Sequence, residues 1–269
     1  MLKKLFNVSD EIVVITGGSG QLGIQYSKTF LEANSFVVSI DLKTNKYIEE
    51  IKEKYKNKFL FIKCDITSKK SVMEASAVIK KNFGNVSVLV NNAALDSPPN
   101  APKEETGPFE SYPESSWDNV IDVNLKGVFN CCQVFGDIMA RNKKGSIINV
   151  SSIYGVVSPD QSIYEYRRKN GDTFYKPIAY SVSKSGLINM TKYLAVYWAK
   201  LKVRVNCLVL AGVDNNQDLE FKESYCKRIP IGRMANENEY NGAMIFLASE
   251  ASSYMTGSTL TLDGGWTSI

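Results

Sequence analysis

The sequence predicts a single α/β domain, built on a doubly wound parallel sheet of about seven strands with helices on both faces. Short apolar runs alternate with amphipathic stretches along the 269-residue chain, which is the pattern of repeated βα units. The runs are apolar at successive positions, as expected for strands that helices cover on both faces. No linker-like segment divides the chain, so residues 1–269 are interpreted as one domain.

Each predicted strand is an apolar run bounded by turn residues, and each predicted helix follows such a run with helical periodicity. The predicted strands cover residues 12–15, 36–40, 58–63, 86–90, 145–150, 203–210 and 259–262. The predicted helices cover residues 22–33, 46–55, 71–83, 117–140, 179–200 and 236–249. Residues 95–113 are rich in Pro, Glu and Ser and predict a loop.

A glycine-rich turn, T-G-G-S-G at residues 16–20, joins the first strand to the first long helix. Gly18, Gly20 and Gly23 fit the pattern G-x-G-x-x-G. Glycines let the backbone approach a pyrophosphate closely, and the positive end of the helix favours an anion. This strand, turn and helix therefore predict a Rossmann-type dinucleotide site.

Asp41 ends the second strand, 21 residues after Gly20, which is close to the spacing of a carboxylate that binds ribose hydroxyls. Such a carboxylate repels a 2′-phosphate. No Arg stands in the turn or beside Asp41, where Lys43 is the only nearby cation. The sequence therefore favours NAD over NADP; the alternative is a solvated Asp at a strand end.

Composition excludes several classes of protein. The net charge of +4 comes without a long run of like charges, which argues against nucleic-acid binding. No stretch reaches 18 consecutive apolar residues and the first residues lack a secretion signal, so we expect no membrane span and a cytoplasmic location. Five cysteines without C-x-x-C spacing predict reduced thiols and no metal site. The absence of histidine excludes Ser-His-Asp catalysis.

Polar residues follow the third and fourth strands, at the edge of the sheet where ligands bind. Asp65 can accept a hydrogen bond from an adenine amino group, or it can cap the next turn. Asn91 and Asn92 can line the cofactor or bond backbone groups across the sheet, and for Asn91 the structural role is at least as plausible.

Tyr180 and Lys184 are four residues apart on a predicted helix and share one face. An ammonium group beside a phenol favours phenolate, so this pair predicts a lowered tyrosine pKa and a group that moves protons. The spacing alone also suits a solvated helix pair. Two further residues strengthen the catalytic interpretation. Ser152 places a hydroxyl at the end of the fifth strand. Asn124 lies inside a predicted helix, although Asn is a mediocre helix former.

These residues resemble the short-chain dehydrogenase/reductase family over nearly the whole chain. The glycine turn, N-N-A-A (91–94), Asn124, Ser152 and the Tyr180–Lys184 pair occur in family order, as do the closing Y-M-T-G (254–257) and D-G-G (263–265).

The resemblance implies roles for four catalytic residues. Ser152 positions the carbonyl or carbinol oxygen, and Tyr180 is the general acid/base. Lys184 binds ribose and lowers the tyrosine pKa, while Asn124 holds a relay water. Ser151 competes with Ser152, but the family places the catalytic serine just before an I-Y-G step, as Ser152 is.

The resemblance also implies a cofactor site with two departures from the family pattern. The turn reads T-G-x-x-G-x-x-G with Gln at position 21, and Ala-Gly replaces Pro-Gly after the sixth strand. The expected cofactor-binding residues are Gly17, Ser19, Gly20, Gln21, Leu22, Asp41, Leu42, Asp65, Ile66, Asn92, Ala93, Ala94, Tyr180, Lys184 and Val213.

An insertion at about residues 158–176 lengthens the segment between Ser152 and Tyr180 relative to the family. Because the insertion adjoins the catalytic groups, we expect it to form part of a substrate lid. Its consecutive cations Arg167, Arg168 and Lys169 can clamp a phosphate or carboxylate, with a solvated loop as the alternative. We expect Ser152, Tyr180, Arg167 and Arg168 to bind substrate, and residues at about 214–228 to form a second substrate loop.

The segment I-Y-G-V-V-S-P-D-Q-x-I-Y-E at residues 153–165 is similar to dehydrogenases encoded with bacterial surface-sugar and flagellin-glycan genes. This narrower resemblance implies a phosphorylated or nucleotide-linked sugar as the substrate of an NAD-dependent oxidoreductase that interconverts a secondary alcohol and a ketone. Alternatives are a 3-oxoacyl-thioester reductase, a sugar epimerase or dehydratase, and a non-catalytic dinucleotide-binding protein. The family resemblance also implies a homotetramer or homodimer.

Overall fold

A computed structural model describes residues 2–96 and 103–269 and contains a seven-stranded sheet in the order β3-β2-β1-β4-β5-β6-β7. Every neighbouring pair in it is parallel. The predicted doubly wound parallel sheet is therefore confirmed. The strands are β1 (Ile12–Thr16), β2 (Phe36–Asp41), β3 (Phe59–Lys63), β4 (Val88–Asn91), β5 (Gly145–Ser152), β6 (Val203–Leu210) and β7 (Thr259–Leu262).

Helices cover both faces of the sheet. The α-helices of the described chain are α1 (Leu2–Leu5), α2 (Gln21–Glu32), α3 (Lys46–Lys54), α4 (Lys69–Asn82), α5 (Glu114–Ile121), α6 (Val128–Cys131), α7 (Asp137–Arg141), α8 (Glu165–Lys169), α9 (Ile178–Trp198), α10 (Leu219–Cys226) and α11 (Asn241–Ala248). None of them is long and apolar enough to cross a membrane.

The core consists of two layers, one on each side of the sheet. Successive residues of β1 point to opposite layers, since Val14 packs with α4, α7 and α9 while Val13 packs with α2, α3 and α11. Both residues are fully buried. This explains why the sequence shows continuous apolar runs in place of alternation.

Several predicted boundaries differ from the structure. Strand β4 starts at Val88 rather than 86, although Ser87 still pairs with Ile12 through its N–H. Helix α11 starts at Asn241 rather than 236, because the polar residues before it form hydrogen-bonded turns. Strand β5 runs on to Ser152.

The helix predicted over 117–140 spans residues 114–141 and contains two π-helical segments, Asp122–Gly127 and Cys132–Gly136. The predicted loop at 95–113 contains two 3-10 turns in its described part, Lys103–Thr106 and Phe109–Ser111. Residues 97–102 of that loop lie outside the described residues.

The two predicted substrate segments pack together at the carboxyl end of the sheet. Residues 158–176 contain a 3-10 turn, Gln161–Tyr164, and helix α8, while residues 214–228 contain α10. Tyr164 stacks on Phe221 of α10 with the ring centroids 5.7 Å apart. Both rings belong to a third apolar cluster, which therefore joins the insertion to the second loop.

Candidate active site

The glycine turn packs tightly against the protein backbone at the N-terminus of α2. Gly17 has a φ of +63°, and a Cβ there would lie 2.7 Å from the Cα of Ala93. A Cβ on Gly23 would lie 2.3 Å from the carbonyl oxygen of Gly17, so neither position tolerates a side chain. No side chain caps α2 at Gly20, which leaves the N–H groups of its first turn to bind an anion. The turn therefore fits the predicted cofactor.

Asp41 lies at the rim of this turn. Its carboxylate accepts hydrogen bonds from the N–H of Ser19 at 3.0 Å and the N–H of Leu42 at 2.7 Å. The hydroxyl of Ser19 donates to the carbonyl of Lys43 at 2.7 Å, which ties the turn to the end of β2. The carboxylate is thus fixed by backbone donors and retains acceptor capacity for ribose hydroxyls.

Thr16 and Asn92 join the ends of β1 and β4. The Thr16 hydroxyl accepts from the N–H groups of Asn92 and Ala93 at 3.0 and 2.9 Å. The amide of Asn92 donates to the carbonyls of Thr16 and Gly17 at 3.1 and 3.2 Å. Asn91 is buried and its amide donates to Asn149 at 2.8 Å, which is the structural alternative foreseen for it.

Asp65 caps its own turn. Its Oδ1 accepts from both the N–H and the hydroxyl of Thr67, at 2.9 and 2.7 Å. One oxygen of this carboxylate is therefore committed to the backbone, and its contact with adenine stays a prediction. Ile66 packs against the long helix, where a Cβ on Gly127 would lie 2.6 Å from its Cδ1.

Strand β5 and helix α9 approach each other closely just where the catalytic candidates lie. A Cβ on Gly155 would lie 2.7 Å from the carbonyl carbon of Lys184. The hydroxyl of Ser151 donates to the Lys184 carbonyl at 2.8 Å and so fixes the two elements together. The hydroxyl of Ser152 accepts from the N–H of Tyr154 at 3.2 Å and hydrogen-bonds Tyr180. This geometry favours Ser152 over Ser151 as the serine that meets substrate.

The Lys184 ammonium is buried beside Tyr180. Its Nζ donates to the Val150 carbonyl at 2.8 Å and lies 5.6 Å from the centroid of the Tyr180 ring. Burial lowers the pKa of Lys184 to about 8. The group is therefore mainly an ammonium at neutral pH, although it is held in a poorly solvated position.

The pKa of Tyr180 is raised, contrary to the expectation that it is lowered. Burial raises the pKa of the phenol, and the Asp96 carboxylate raises it further, while the hydrogen bond with Ser152 lowers it. Burial disfavours phenolate more than the neighbouring groups favour it. At neutral pH Tyr180 therefore carries its proton.

Asn124 lies in the first π-helical segment and is fully buried. Its amide nitrogen donates to the Leu95 carbonyl at 3.0 Å and the Ser183 hydroxyl at 2.9 Å, and its oxygen accepts from the Leu95 N–H at 2.7 Å. Both amide hydrogens are therefore used. A relay water here can be held by acceptor atoms such as the amide oxygen or a backbone carbonyl, so that role stays a prediction.

A cavity of about 350 Å³ brings the predicted cofactor and substrate residues together. On the cofactor side it is lined by Leu22, Asn92, Ala94 and Val213, and at its base by Ser152, Tyr180 and Lys184. The substrate-side lining includes Asp96, Tyr154, Tyr164, Tyr166, Arg167, Phe174, Lys176, Gln217, Asp218, Phe221, Tyr225 and Met234. Both predicted substrate segments thus contribute to one wall.

The structure separates the two arginines predicted to bind substrate. Arg167 lines the cavity, with its guanidinium paired to Asp172 at 2.5 Å and placed 4.2 Å from the Phe174 ring centroid. Arg168 is not among the cavity-lining residues of the described chain. It donates to the carbonyls of Phe174 at 3.0 Å and Gln161 at 2.7 Å, so its contacts hold the insertion together.

Three charged residues that line the cavity, Asp96, Lys176 and Asp218, are absent from the site residues that the sequence predicts. Asp96 follows N-N-A-A at the carboxyl end of β4, and this position was the available signal for it. Lys176 lies at the end of the insertion, and its ammonium contacts the Asp96 carboxylate. Residues 80 positions apart give no local pattern that would pair them.

Comparison with known proteins identifies the family. The sequence model described as "Enoyl-(Acyl carrier protein) reductase" matches residues 20–267. Similar curated proteins include an NAD-dependent glycerol dehydrogenase of Listeria innocua, which is 30% identical over 98% of this chain and 96% of its own length. A sorbose reductase of Candida albicans is 29% identical over 98% and 89%. A 3-oxoacyl-acyl-carrier-protein reductase of Thermotoga maritima is 29% identical over 95% and 97%.

Solved structures give the same result. A short-chain dehydrogenase from Leptospira borgpetersenii with bound NAD+ has a TM-score of 0.84 and 33% identity, covering 96% of this chain and 93% of its own. A gluconate 5-dehydrogenase from Burkholderia cenocepacia in complex with NADP and tartrate has a TM-score of 0.85 and 25% identity over 100% of both chains. The chain belongs to the short-chain dehydrogenase/reductase family and is an oxidoreductase that acts on CH–OH groups.

Replacement of the Tyr180 hydroxyl is the sharpest test of this arrangement. In Tyr180→Phe we expect NAD binding to be retained and kcat to fall by about 10²- to 10⁴-fold, because the general acid/base is lost. Tyr193→Phe, on an exposed part of the same helix, is the matched control and should keep full activity. Turnover close to that of the unaltered chain in Tyr180→Phe would remove Tyr180 from the reaction.

Proposed function

We propose that the protein is an NAD-dependent dehydrogenase that interconverts a secondary alcohol and a ketone on a phosphorylated or nucleotide-linked sugar in bacterial glycan biosynthesis. The observation that carries the proposal is the convergence of Ser152, Tyr180 and Lys184 on one cavity that Leu22 and Val213 also line. A substrate in this cavity meets hydroxyl donors beside the space that suits a nicotinamide ring.

Ser152 and Tyr180 have different roles, since one orients the substrate and the other transfers a proton. NAD, when bound, accepts or returns a hydride. The hydroxyl of Ser152 orients the substrate oxygen, and the phenol of Tyr180 gives a proton to a ketone or takes one from an alcohol. Burial raises the pKa of Tyr180, which keeps the phenol protonated at neutral pH but makes it a weaker acid. The Lys184 ammonium stabilises negative charge on the phenol oxygen when the proton leaves.

The size of the cavity supports a small reacting group. About 350 Å³ is at the lower end of ligand pockets and has to hold the nicotinamide end of the cofactor as well. A monosaccharide ring fills the remaining space. If the sugar is linked to a nucleotide, the nucleotide has to extend through the mouth of the cavity.

The lining of the cavity supports a polar substrate over an acyl chain. Charged side chains of Asp96, Arg167, Lys176 and Asp218 stand among the aromatic rings. A purely apolar wall would favour the alternative, a 3-oxoacyl-thioester reductase. The similar curated proteins include both polyol or sugar enzymes and such a reductase, so the lining is the discriminating feature.

The segment similar to surface-sugar and flagellin-glycan dehydrogenases contributes Tyr154 and Tyr164 to the cavity wall, which supports the glycan assignment. Assembly into a homotetramer or homodimer stays a prediction. Tyr193, Val196 and Tyr197 lie on one face of α9 and are 69%, 82% and 65% exposed, which supports association through this helix. The cytoplasmic location also stays a prediction.

The preference for NAD rests on Asp41, and two substitutions separate its charge from its shape. Asp41→Ala should weaken NAD binding about tenfold or more, because hydrogen bonds from ribose to a carboxylate are lost. Asp41→Asn keeps an acceptor for the Ser19 N–H and should mainly relieve the exclusion of NADP. The ratio of kcat/KM with NAD to that with NADP reports both effects. An unchanged ratio in both variants would contradict the assignment.

Arg167 and Lys169 allow a matched test of anion binding. Arg167→Met should raise KM for a phosphorylated substrate about tenfold relative to its unphosphorylated counterpart, because a cavity-lining guanidinium is lost. Lys169→Met removes a cation of the same segment that is 71% exposed and should leave KM unchanged. Equal effects of the two variants, or no effect of Arg167→Met, would contradict a phosphate clamp.

A substrate screen tests the proposed function as a whole. The absorbance of reduced nicotinamide is followed with NAD or NADH and a panel of sugar phosphates, nucleotide sugars, polyols and a 3-oxoacyl thioester. We expect NAD-linked turnover with a member of the first two groups. Turnover of the thioester alone would support the alternative reductase, and tight NAD binding without turnover of any compound would support a non-catalytic role.

A further inference from the structure

The cavity contains a second buried cation that the proposed proton transfer does not use. The Lys176 ammonium lies 5.0 Å from the centroid of the Tyr180 ring and contacts the Asp96 carboxylate. The side chain of Lys176 is 7% exposed and that of Asp96 is 47% exposed. The carboxylate therefore reaches the open part of the cavity, while the ammonium lies against the catalytic ring.

Side-chain amides hydrogen-bond the backbone of Lys176 and of Leu95, the residue before Asp96, and so hold both charged residues in place. Gln161 accepts from the Lys176 N–H at 2.9 Å and donates to the Lys176 carbonyl at 3.0 Å. Asn124 bonds both backbone groups of Leu95, the residue before Asp96. Such double attachment fixes the backbone that carries each charge, so the pair is positioned before substrate arrives.

Stability alone gives little reason for such a pair. Burial of the Lys176 ammonium costs about as much free energy as its attraction to the half-exposed Asp96 carboxylate returns, so the pair adds little to folding. The pair also adds a carboxylate that disfavours the phenolate of Tyr180. The pair lines the substrate cavity, although it adds little to stability and disfavours the phenolate of Tyr180. This points to a role in recognition of the substrate.

The chemistry of the pair matches neighbouring hydroxyl groups. An ammonium only donates hydrogen bonds and an ionised carboxylate only accepts them, whereas each sugar hydroxyl can do both. We propose that Asp96 and Lys176 bind the hydroxyl groups adjacent to the reacting carbon, so that the enzyme selects vicinal diols over isolated alcohols. This inference rests on the proposed function and narrows its substrate class to compounds that are hydroxylated next to the site of oxidation.

The test compares two alcohols that differ by one adjacent hydroxyl, propane-1,2-diol and propan-2-ol, each oxidised with NAD. The unaltered enzyme should prefer the diol by about tenfold or more in kcat/KM, since a site built to bond a hydroxyl rejects the analogue that lacks it. In Lys176→Met and in Asp96→Asn the preference should fall close to unity, mainly through a higher KM for the diol. Because both charges lie beside the Tyr180 ring, turnover of propan-2-ol changes as well, so the readout is the ratio of kcat/KM for the diol to that for propan-2-ol within each variant.

A structural role for the pair gives a different result. If Asp96 and Lys176 only link the insertion to the loop after β4, the variants lower Tm and reduce the turnover of both alcohols by the same factor. In that case the diol preference is unchanged in the variants, and Lys176→Arg restores Tm and the turnover of both alcohols together. Lys169→Met is the control for a cation lost elsewhere in the insertion.

The inference fails if the enzyme shows no preference for the diol, or if both variants keep it. In either case NAD-linked turnover of a sugar phosphate or nucleotide sugar that is lost in Tyr180→Phe leaves the proposed function intact. If the unaltered enzyme oxidises neither alcohol but turns over a sugar of the substrate screen, that sugar and its analogue without the hydroxyl next to the reacting carbon replace the two alcohols, with the same expected and contradicting results. If it turns over no compound of the screen either, the proposed function fails and the inference fails with it.

Discussion

The close contact between the end of β5 and the start of α9 is the constraint on which the rest of the site depends. Gly155 allows this approach because a Cβ there would meet the backbone of Lys184. Two hydrogen bonds then close the contact, from Ser151 to the Lys184 carbonyl and from the Lys184 ammonium to the Val150 carbonyl. The serine of a strand and the tyrosine and lysine of a helix become neighbours only through this packing.

The same contact sets the electrostatics of the site. Burial of Tyr180 and Lys184 raises the pKa of the phenol and lowers the pKa of the ammonium. Burial therefore favours the uncharged form of each side chain. The phenol therefore keeps its proton until a positive charge or a reacting oxygen arrives near it. The Asp96 carboxylate raises the pKa of the phenol further.

Much of the fold was predictable because its signals are local. The order of strands and helices follows from apolar runs, and the glycine turn needs small residues at positions where a Cβ meets backbone. The roles of Ser152, Tyr180 and Lys184 could be inferred because their order along the chain resembles the family. Their positions around one cavity agree with that inference.

The remaining features depend on contacts between distant residues. The pKa of Tyr180 depends on burial by the insertion and on Asp96, which no spacing reveals. Arg167 and Arg168 are neighbours in sequence, yet only the folded insertion decides that one faces the cavity and the other bonds backbone carbonyls. The π-helical segment around Asn124 likewise reflects tertiary bonds to Leu95 and Ser183.

A crystal structure of the chain with NAD tests the central claim most directly. We expect the pyrophosphate at the N-terminus of α2, a ribose hydroxyl on Asp41, and the reactive carbon of the nicotinamide facing Ser152 and Tyr180 across the cavity. A nicotinamide ring that lies outside this cavity, or a diphosphate that the glycine turn does not contact, would contradict the account.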